Sequence, residues 1–331
     1  PANFRGRFIS SYQLAITAGI FLAYLVNAHL SADANWRLML GAAAVPGVAL
    51  FVTALLAPES PRWLMMKGRR AEAAIETRKV HPEIDIDEQL DSIKTALRQE
   101  EKTAPWSEIF DHDWRRPLMV AVGLAIFQQI TGINAIIYYA NQIFASAGFA
   151  TEEARATVTT WAIGGVNVLA TLIAIAFIDR MGRRFLLLVG LIGMGASLAV
   201  VGIAFRFIEP AGDAVSSAGP TTAGIVTVGA LVVFITSFAF SLGPVTWTVI
   251  NEVFPARVRG RGVAFATAVN WGSAYLVSQF FLSLVDAIGS SLTFFLFAVF
   301  CVAGWVWAYR AVPETKRQSL EQIQLMWAKA S

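Results

Sequence analysis

Stretches free of Asp, Glu, Lys and Arg divide most of the chain into eight long apolar runs. They are Phe8–Ala32 (25 residues), Leu38–Pro58 (21), Pro117–Thr151 (35), Ala156–Ile178 (23), Phe185–Phe205 (21), Ala214–Asn251 (38), Gly262–Val285 (24) and Ala287–Tyr309 (23). A helix needs about 20 apolar residues to cross a hydrocarbon core, so the pattern predicts eight transmembrane helices. The two longest runs exceed one crossing and hold internal Gly and Pro, which predicts broken or kinked helices there. Between the second and third runs lies the only sizeable polar segment, Glu59–Arg116. Within it, Gly68–Arg78 and Asp87–Glu101 have helical spacing, with Ile86, Leu90, Ile93 and Leu97 forming one stripe. This segment reads either as a solvated amphipathic linker or as a small helical bundle latching the membrane halves.

Charge sets the orientation. With eight crossings both chain ends lie on one side, and that side holds all of the 26 basic residues except Arg37, Arg155 and Arg206. Basic loops stay in the cytoplasm, so both ends and the polar segment are expected there. The formal net charge of +3 reflects this asymmetry and does not point to nucleic acid. At 56% hydrophobic and 15% charged, against about 25% charged for an average soluble chain, the composition excludes a water-soluble globule. The single cysteine, Cys301, excludes a disulfide framework.

Two echoes recur at nearly one offset. Pro1-Ala2-Asn3-Phe4-Arg5-Gly6-Arg7 is repeated as Pro255-Ala256-Arg257-Val258-Arg259-Gly260-Arg261, and Pro58-Glu59-Ser60-Pro61-Arg62 as Pro313-Glu314-Thr315-Lys316-Arg317. Each pair of echoes brackets two spans, so the first two spans match the last two as an internal repeat. Four further spans precede Pro255, and none precedes Pro1. The repeat therefore predicts an all-α polytopic protein with eight of twelve helices present, lacking four at its N-terminus. Residues 1–58 would be the last two helices of one six-helix half and 59–116 a cytoplasmic helical linker. Residues 117–312 would be the second half and 313–331 a tail. Parallel halves of this kind put a substrate site near the midplane between them. Such a chain is expected to need its missing helices in order to transport, and to be a monomer when complete.

Several motifs occur in order along this frame. They are Pro58-Glu59-Ser60-Pro61-Arg62-Trp63-Leu64, Gln128-Gln129-Ile130-Thr131-Gly132-Ile133-Asn134, Asp179-Arg180-Met181-Gly182-Arg183-Arg184, Gly243-Pro244-Val245-Thr246-Trp247 and Pro313-Glu314-Thr315-Lys316. With them the chain resembles the sugar porter family of the major facilitator superfamily, from its fifth helix to its twelfth. Neutral amides donate and accept hydrogen bonds, as a sugar does, and indoles supply a flat apolar face. On a regular helix Gln128 and Asn134 are about 240° apart, and only a local break at Gly132 brings Gln128, Gln129 and Asn134 together. The resemblance implies that these three contact sugar, with Gln13, Asn167, Trp247, Asn270, Trp271 and Phe238. It implies an outer gate at Tyr138 and Tyr139. Helix-to-helix hydrogen bonding and membrane-interface aromatics are the plainer readings of the same residues.

The cytoplasmic charges Arg5, Glu59, Arg62, Asp179, Arg180, Arg183, Arg184, Glu252, Arg259 and Glu314 hold the topology in any case. The resemblance adds a salt-bridge gate that closes the inner side in one of two states. His29, His81 and His112 are scattered, so neither a metal nor a cofactor is expected; a proton is the one coupling ion to consider. Proton relays in membranes use an intramembrane acid or histidine, and the family's aspartate–arginine pair lies on the first and fourth helices. Ala239 stands eight residues before Trp247, where many facilitators carry glutamate, which favours a symporter. The expected partners are a monosaccharide and the lipid bilayer. A sugar sensor on the same fold would need a long tail, and a membrane enzyme would need a convergent acid–base site; neither feature is present.

Overall fold

The computed structural model describes residues 5–30, 35–80, 85–100, 105–208, 221–254 and 256–314. It is all-helical over these residues: α1 (Arg5–Leu30), α2 (Trp36–Gly41), α3 (Ala44–Leu56), α4 (Pro61–Met66), α5 (Arg70–Val80), α6 (Ile86–Glu100), α7 (Arg115–Ile130), α8 (Ile133–Tyr138), α9 (Ala140–Ser146), α10 (Glu152–Val158), α11 (Val166–Met181), α12 (Arg183–Ile208), α13 (Thr222–Phe240), α14 (Leu242–Val253) and α15 (Ala256–Ala311). Seven described segments are long and apolar enough to cross a membrane. The seventh, Val258–Ala311, has 54 residues, about 80 Å of helix at 1.5 Å per residue. Gly289 interrupts it with φ 82° and ψ 160°. The last two charge-free runs thus form one helical stretch with a single break, three residues beyond Asp286.

The expected breaks in the long apolar runs are present. Between α7 and α8, Gly132 adopts φ 93°, a left-handed conformation that costs an L-residue about 1–2 kcal/mol. Between α13 and α14, Ser241 leaves helical geometry at φ −120° and ψ −98°. A third irregularity is a π-helical turn, Thr159–Gly165, joining α10 to α11. Such turns change the register of a helix, and they recur at functional sites.

The main core lies among α7, α12, α13, α14 and α15, with Phe144, Phe205, Phe234, Phe254 and Phe294 fully buried. Small residues bring these helices close, as they do in membrane bundles. A Cβ on Gly190 of α12 would lie 2.0 Å from Ser241 Oγ, and one on Gly123 of α7 2.0 Å from the Trp307 ring. In contrast, Trp36–Leu56 contains no buried residue.

The polar segment forms three short helices with a core of its own. Leu64, Ala73 and Leu90 are buried, and Met65, Ala74, Ile86 and Ile93 pack on them. Ser60 Oγ accepts the Trp63 N–H at 3.2 Å and starts α4. Arg70 joins α5 to α6 through Asp87 (2.9 Å) and Asp91 (2.7 Å). The next turn, Trp106–Phe110, buries Ile109 and packs Phe110 edge-on against Phe265 of α15. These three helices pack as a small cluster around that core.

Candidate functional site

An amide relay runs from one helix break to the other. Asn134 Nδ2 donates to Gln129 Oε1 at 2.8 Å, and Gln129 Nε2 donates to Asn270 Oδ1 at 3.0 Å. Asn270 Nδ2 donates to Gln128 Oε1 at 2.7 Å and to the Ala125 carbonyl at 3.1 Å. Gln128 Nε2 donates to the Leu242 carbonyl at 2.7 Å, beside the Ser241 break. Gln128, Gln129 and Asn270 are all at least nine-tenths buried. The break at Gly132 lets Asn134 reach Gln129, and Asn270 joins Gln129 to Gln128.

Counting donors and acceptors separates their capacities. Both N–H bonds of Asn270 are used and its oxygen is engaged. Gln128 spends its Nε2 on backbone carbonyls, Leu242 and more distantly Gly243. Gln129 and Asn134 each make one donor contact within the relay, and a primary amide carries two N–H bonds. Those two residues hold the relay's spare donors.

Residues of α1 and α13 close on the Leu242 end of the relay. Gly243 lies beside the Gln13 amide and the Phe238 ring: a Cβ there would be 3.5 Å from Gln13 Nε2 and 3.3 Å from Phe238 Cε1. Trp247, one turn on, is half-buried against the core. Asn167 is 2% exposed, and its Oδ1 has no hydrogen-bond partner among the described residues. Thr171 Oγ1 and Thr246 Oγ1 share that condition. An unmet buried polar group costs about 1–3 kcal/mol, so each of these oxygens is an acceptor open to a hydroxyl. Thr171 stands one turn from Asn167 on the same face of α11, and Thr246 immediately precedes Trp247 in its motif. Trp271, next to Asn270, is 55% exposed and points away from the relay.

Tyr138 is exposed, while Tyr139 donates to the Ser278 carbonyl at 2.9 Å and stacks on Phe281 at 5.2 Å. The sequence reading missed Tyr24, whose hydroxyl donates to the Ile137 carbonyl at 2.6 Å and ties α1 to α8. Eleven residues after Gln13 is about 20° from it around a helix, so one stripe of α1 carries both. A cavity of about 550 Å³ lies between the end of α1, α8–α9 and the π-helical turn, and none of the relay's amides lines it.

On the other side of the bundle, Arg183 and Glu252 form an ion pair at 3.5 Å. The Glu314 carboxylate accepts the backbone N–H groups of Arg183 (3.0 Å) and Arg184 (3.2 Å). Arg184 also donates to the Tyr309 carbonyl and lies 5.1 Å above that ring. Arg259 Nε donates to the Phe254 carbonyl at 3.0 Å, linking the start of α15 to the end of α14. Glu59 and Arg62 are exposed at the entry to α4. The side chains of Arg5, Asp179 and Arg180, most of the first echo and residues 315–331 lie outside the described residues.

Helices of this length and apolarity, broken around buried amides, define a multi-pass membrane protein of the major facilitator type. The Sugar (and other) transporter family matches residues 1–327, and the chain belongs to that family. It is 37% identical over 327 residues to the D-xylose transporter of Levilactobacillus brevis, covering 98% of this chain and 69% of the relative. It is 33% identical to the arabinose-proton symporter of Bacillus subtilis, covering 99% and 69%. Among solved structures, it is similar to the proton:xylose symporter XylE of E. coli bound to 6-bromo-6-deoxy-D-glucose. The TM-score is 0.79 at 30% identity, covering 99% of this chain and 68% of that one. These relatives are transporters, not enzymes.

Proposed function

We propose that this chain carries a monosaccharide, hexose or pentose, across the cytoplasmic membrane by alternating access, with a proton as the coupling ion. The observation that carries this reading is the buried amide relay, which spans two helix breaks and keeps its spare donors on Gln129 and Asn134. A ligand rich in hydroxyls matches such a set, because each hydroxyl both donates and accepts. The likeness to a D-xylose transporter and to an arabinose-proton symporter supports the substrate class and the proton. Gln129, Asn134, Gln13, Asn167 and Trp247 would face the sugar. Gln128 and Asn270 would hold the relay in place, with Phe238 packing behind it, and Trp271 would contribute only in a different state of the bundle.

In this reading α15 makes two crossings about Gly289, giving eight in all. Residues 1–58 complete one half of a twelve-helix protein, 117–312 form the other and 59–116 link them; the 254-residue echo and the relatives' coverage support this. The excess of Lys and Arg on one side puts both ends of this segment in the cytoplasm, and the complete protein is a monomer. Arg183, Glu252 and Glu314, with Arg5, Glu59, Arg62, Asp179, Arg180, Arg184 and Arg259, would form the inner gate, and Tyr138 and Tyr139 part of the outer one. Facilitated diffusion is the second reading, favoured by the likeness to the facilitated trehalose transporter of Bombyx mori, 33% identical over 311 residues.

Uptake of labelled pentoses and hexoses by the full-length protein in proteoliposomes tests the proposal. Transport should vanish in Gln129→Ala, and an imposed proton gradient should accelerate it. Uptake unchanged in Gln129→Ala would count against the pocket, and indifference to the gradient would leave facilitated diffusion.

A further inference from the structure

The cavity of about 550 Å³ is separate from the amide relay. Its wall includes Asn27 of α1, Tyr138 of α8, Asn141 and Gln142 of α9, Glu152 of α10 and Thr159 of the π-helical turn. Tyr138 is four residues beyond Asn134, about 6 Å further along the helix, on the side away from the Arg183–Glu252 pair. The volume falls within the roughly 300–1,000 Å³ of small-molecule sites.

The lining is chemically coherent. Three primary amides, Asn27, Asn141 and Gln142, supply neutral donors and acceptors. Thr159 Oγ1 donates to Asn141 Oδ1 at 2.8 Å, which fixes that amide and leaves its N–H bonds to point elsewhere. The Tyr138 ring is 56% exposed and offers a flat apolar face. Its position is held from below by the Tyr24 hydroxyl on the neighbouring Ile137 carbonyl at 2.6 Å. The one carboxylate, Glu152, is paired with Arg155 at 2.9 Å, so the wall carries almost no net charge. Neutral amides around an aromatic face fit a hydroxylated, uncharged ligand and offer little to a cation or an anion.

We infer that this cavity is a second sugar-binding site, an outer vestibule where a monosaccharide rests on Tyr138 before it reaches the amide relay. The inference rests on the sugar-transport reading and adds a separate, outward site to it. Sugar bound here occupies the vestibule whether or not the deeper relay is intact.

Cysteine labelling tests this directly in a background with any accessible cysteine replaced; Cys301 of this chain is buried. Gln142→Cys in the full-length protein, with Asn27→Cys as a second reporter, is reacted from outside with an impermeant thiol reagent. D-xylose and D-glucose are the probes, and betaine at matched osmolarity is the control without hydroxyls. At a sugar concentration of twice the dissociation constant, mass action slows labelling about threefold. That protection should persist when Gln129→Ala is added. It should be lost when Asn141→Leu and Thr159→Val remove the amide and hydroxyl of the wall. Protection that disappears with Gln129→Ala would place the sugar only at the relay and overturn the inference. Intact sugar uptake with no protection would overturn it too and leave the transport reading standing. Absence of both uptake and protection would overturn that reading as well.

Discussion

Glu314 caps the helix that begins at Arg183: one carboxylate oxygen accepts the Arg183 N–H at 3.0 Å and the other the Arg184 N–H at 3.2 Å. These are among the N–H groups that a helix start leaves without partners, and a carboxylate there also meets the positive end of the helix dipole. The motif residue Glu314 thus acts on backbone, whereas the ion pair beside it joins Arg183 to Glu252.

Removing this cap should order the variants. Glu314→Ala loses both acceptors, and Glu314→Gln keeps one oxygen without the charge. The expected cost is about 1–2 kcal/mol for the alanine variant and less for the glutamine, read as a fall in Tm of the purified protein. Gly182, at φ 88°, leaves room for the carboxylate, since a Cβ there would stand 2.7 Å from Glu314 Oε2. Gly182→Ala should therefore cost less in a Glu314→Ala background than in the unaltered protein, with the strain of the positive φ, about 1–3 kcal/mol, present in both. Full additivity would show that the cap is not what Gly182 protects.

Gly132→Ala should act on both fold and relay. The residue sits at φ 93°, and a Cβ would come within 2.8 Å of the Phe297 ring. Strain of about 1–3 kcal/mol is expected. Relieving it by straightening the α7–α8 junction would swing Asn134 away from Gln129. Uptake should fall further than the Tm of the variant accounts for. A lowered Tm with uptake kept in proportion to folded protein would separate the break from the site.

How much of this was visible in the sequence depends on what fixes each feature. Charge-free runs located the spans because burying an ion in hydrocarbon is costly wherever it sits. Gly132 announced its break because only glycine adopts φ 93° cheaply. The second break was expected from Gly243-Pro244, but not its place at Ser241, which is held by contacts: Gln128 Nε2 on the Leu242 carbonyl and the Ser241 Oγ on the Ser237 carbonyl at 2.7 Å. Gln128, Gln129 and Asn134 were identified together, but their coupling through Asn270 is tertiary, 141 residues away along the chain. Tyr24 and Thr159 have no motif around them and acquire meaning only when α1 meets the π-helical turn, where Thr160 Oγ1 also reaches the Tyr24 carbonyl at 3.3 Å.

The polar bundle should respond to acid through Asp91. The hydrogen bond from Arg70, and then its charge, hold the Asp91 carboxyl below the ordinary carboxylate range. A group lowered on folding stabilises the folded state above its unfolded pKa and loses that contribution as pH falls through the folded value. The link between α5 and α6 should therefore be unaffected from neutrality down to the ordinary carboxylate pKa of about 3.9 and weaken below it. Both partners are exposed, so the effect is small and falls with added salt. Hydrogen exchange of the α5 and α6 amides at pH 7 and near pH 3 measures it. Arg70→Gln should remove most of the pH dependence, and a dependence that survives would assign it to other carboxylates.

Asn270 and Gln129 should separate positioning from sugar contact. Asn270→Ala strands the Gln129 Nε2 and the Gln128 Oε1 in a buried place. Each unmet group costs about 1–3 kcal/mol before relaxation, so a large fall in Tm is expected. Gln129→Ala strands fewer groups, because Asn134 is half-buried and can turn towards water, yet it removes a spare donor of the relay. The stability loss should therefore be greater for Asn270→Ala, and the uptake lost per folded molecule greater for Gln129→Ala. In the double variant the two stability costs should fall short of their sum by about 1–2 kcal/mol, since both act through one hydrogen bond. Additive costs would mean that the 3.0 Å contact between them holds nothing in place. The opposite ranking in uptake would move the sugar contact from Gln129 to Asn270.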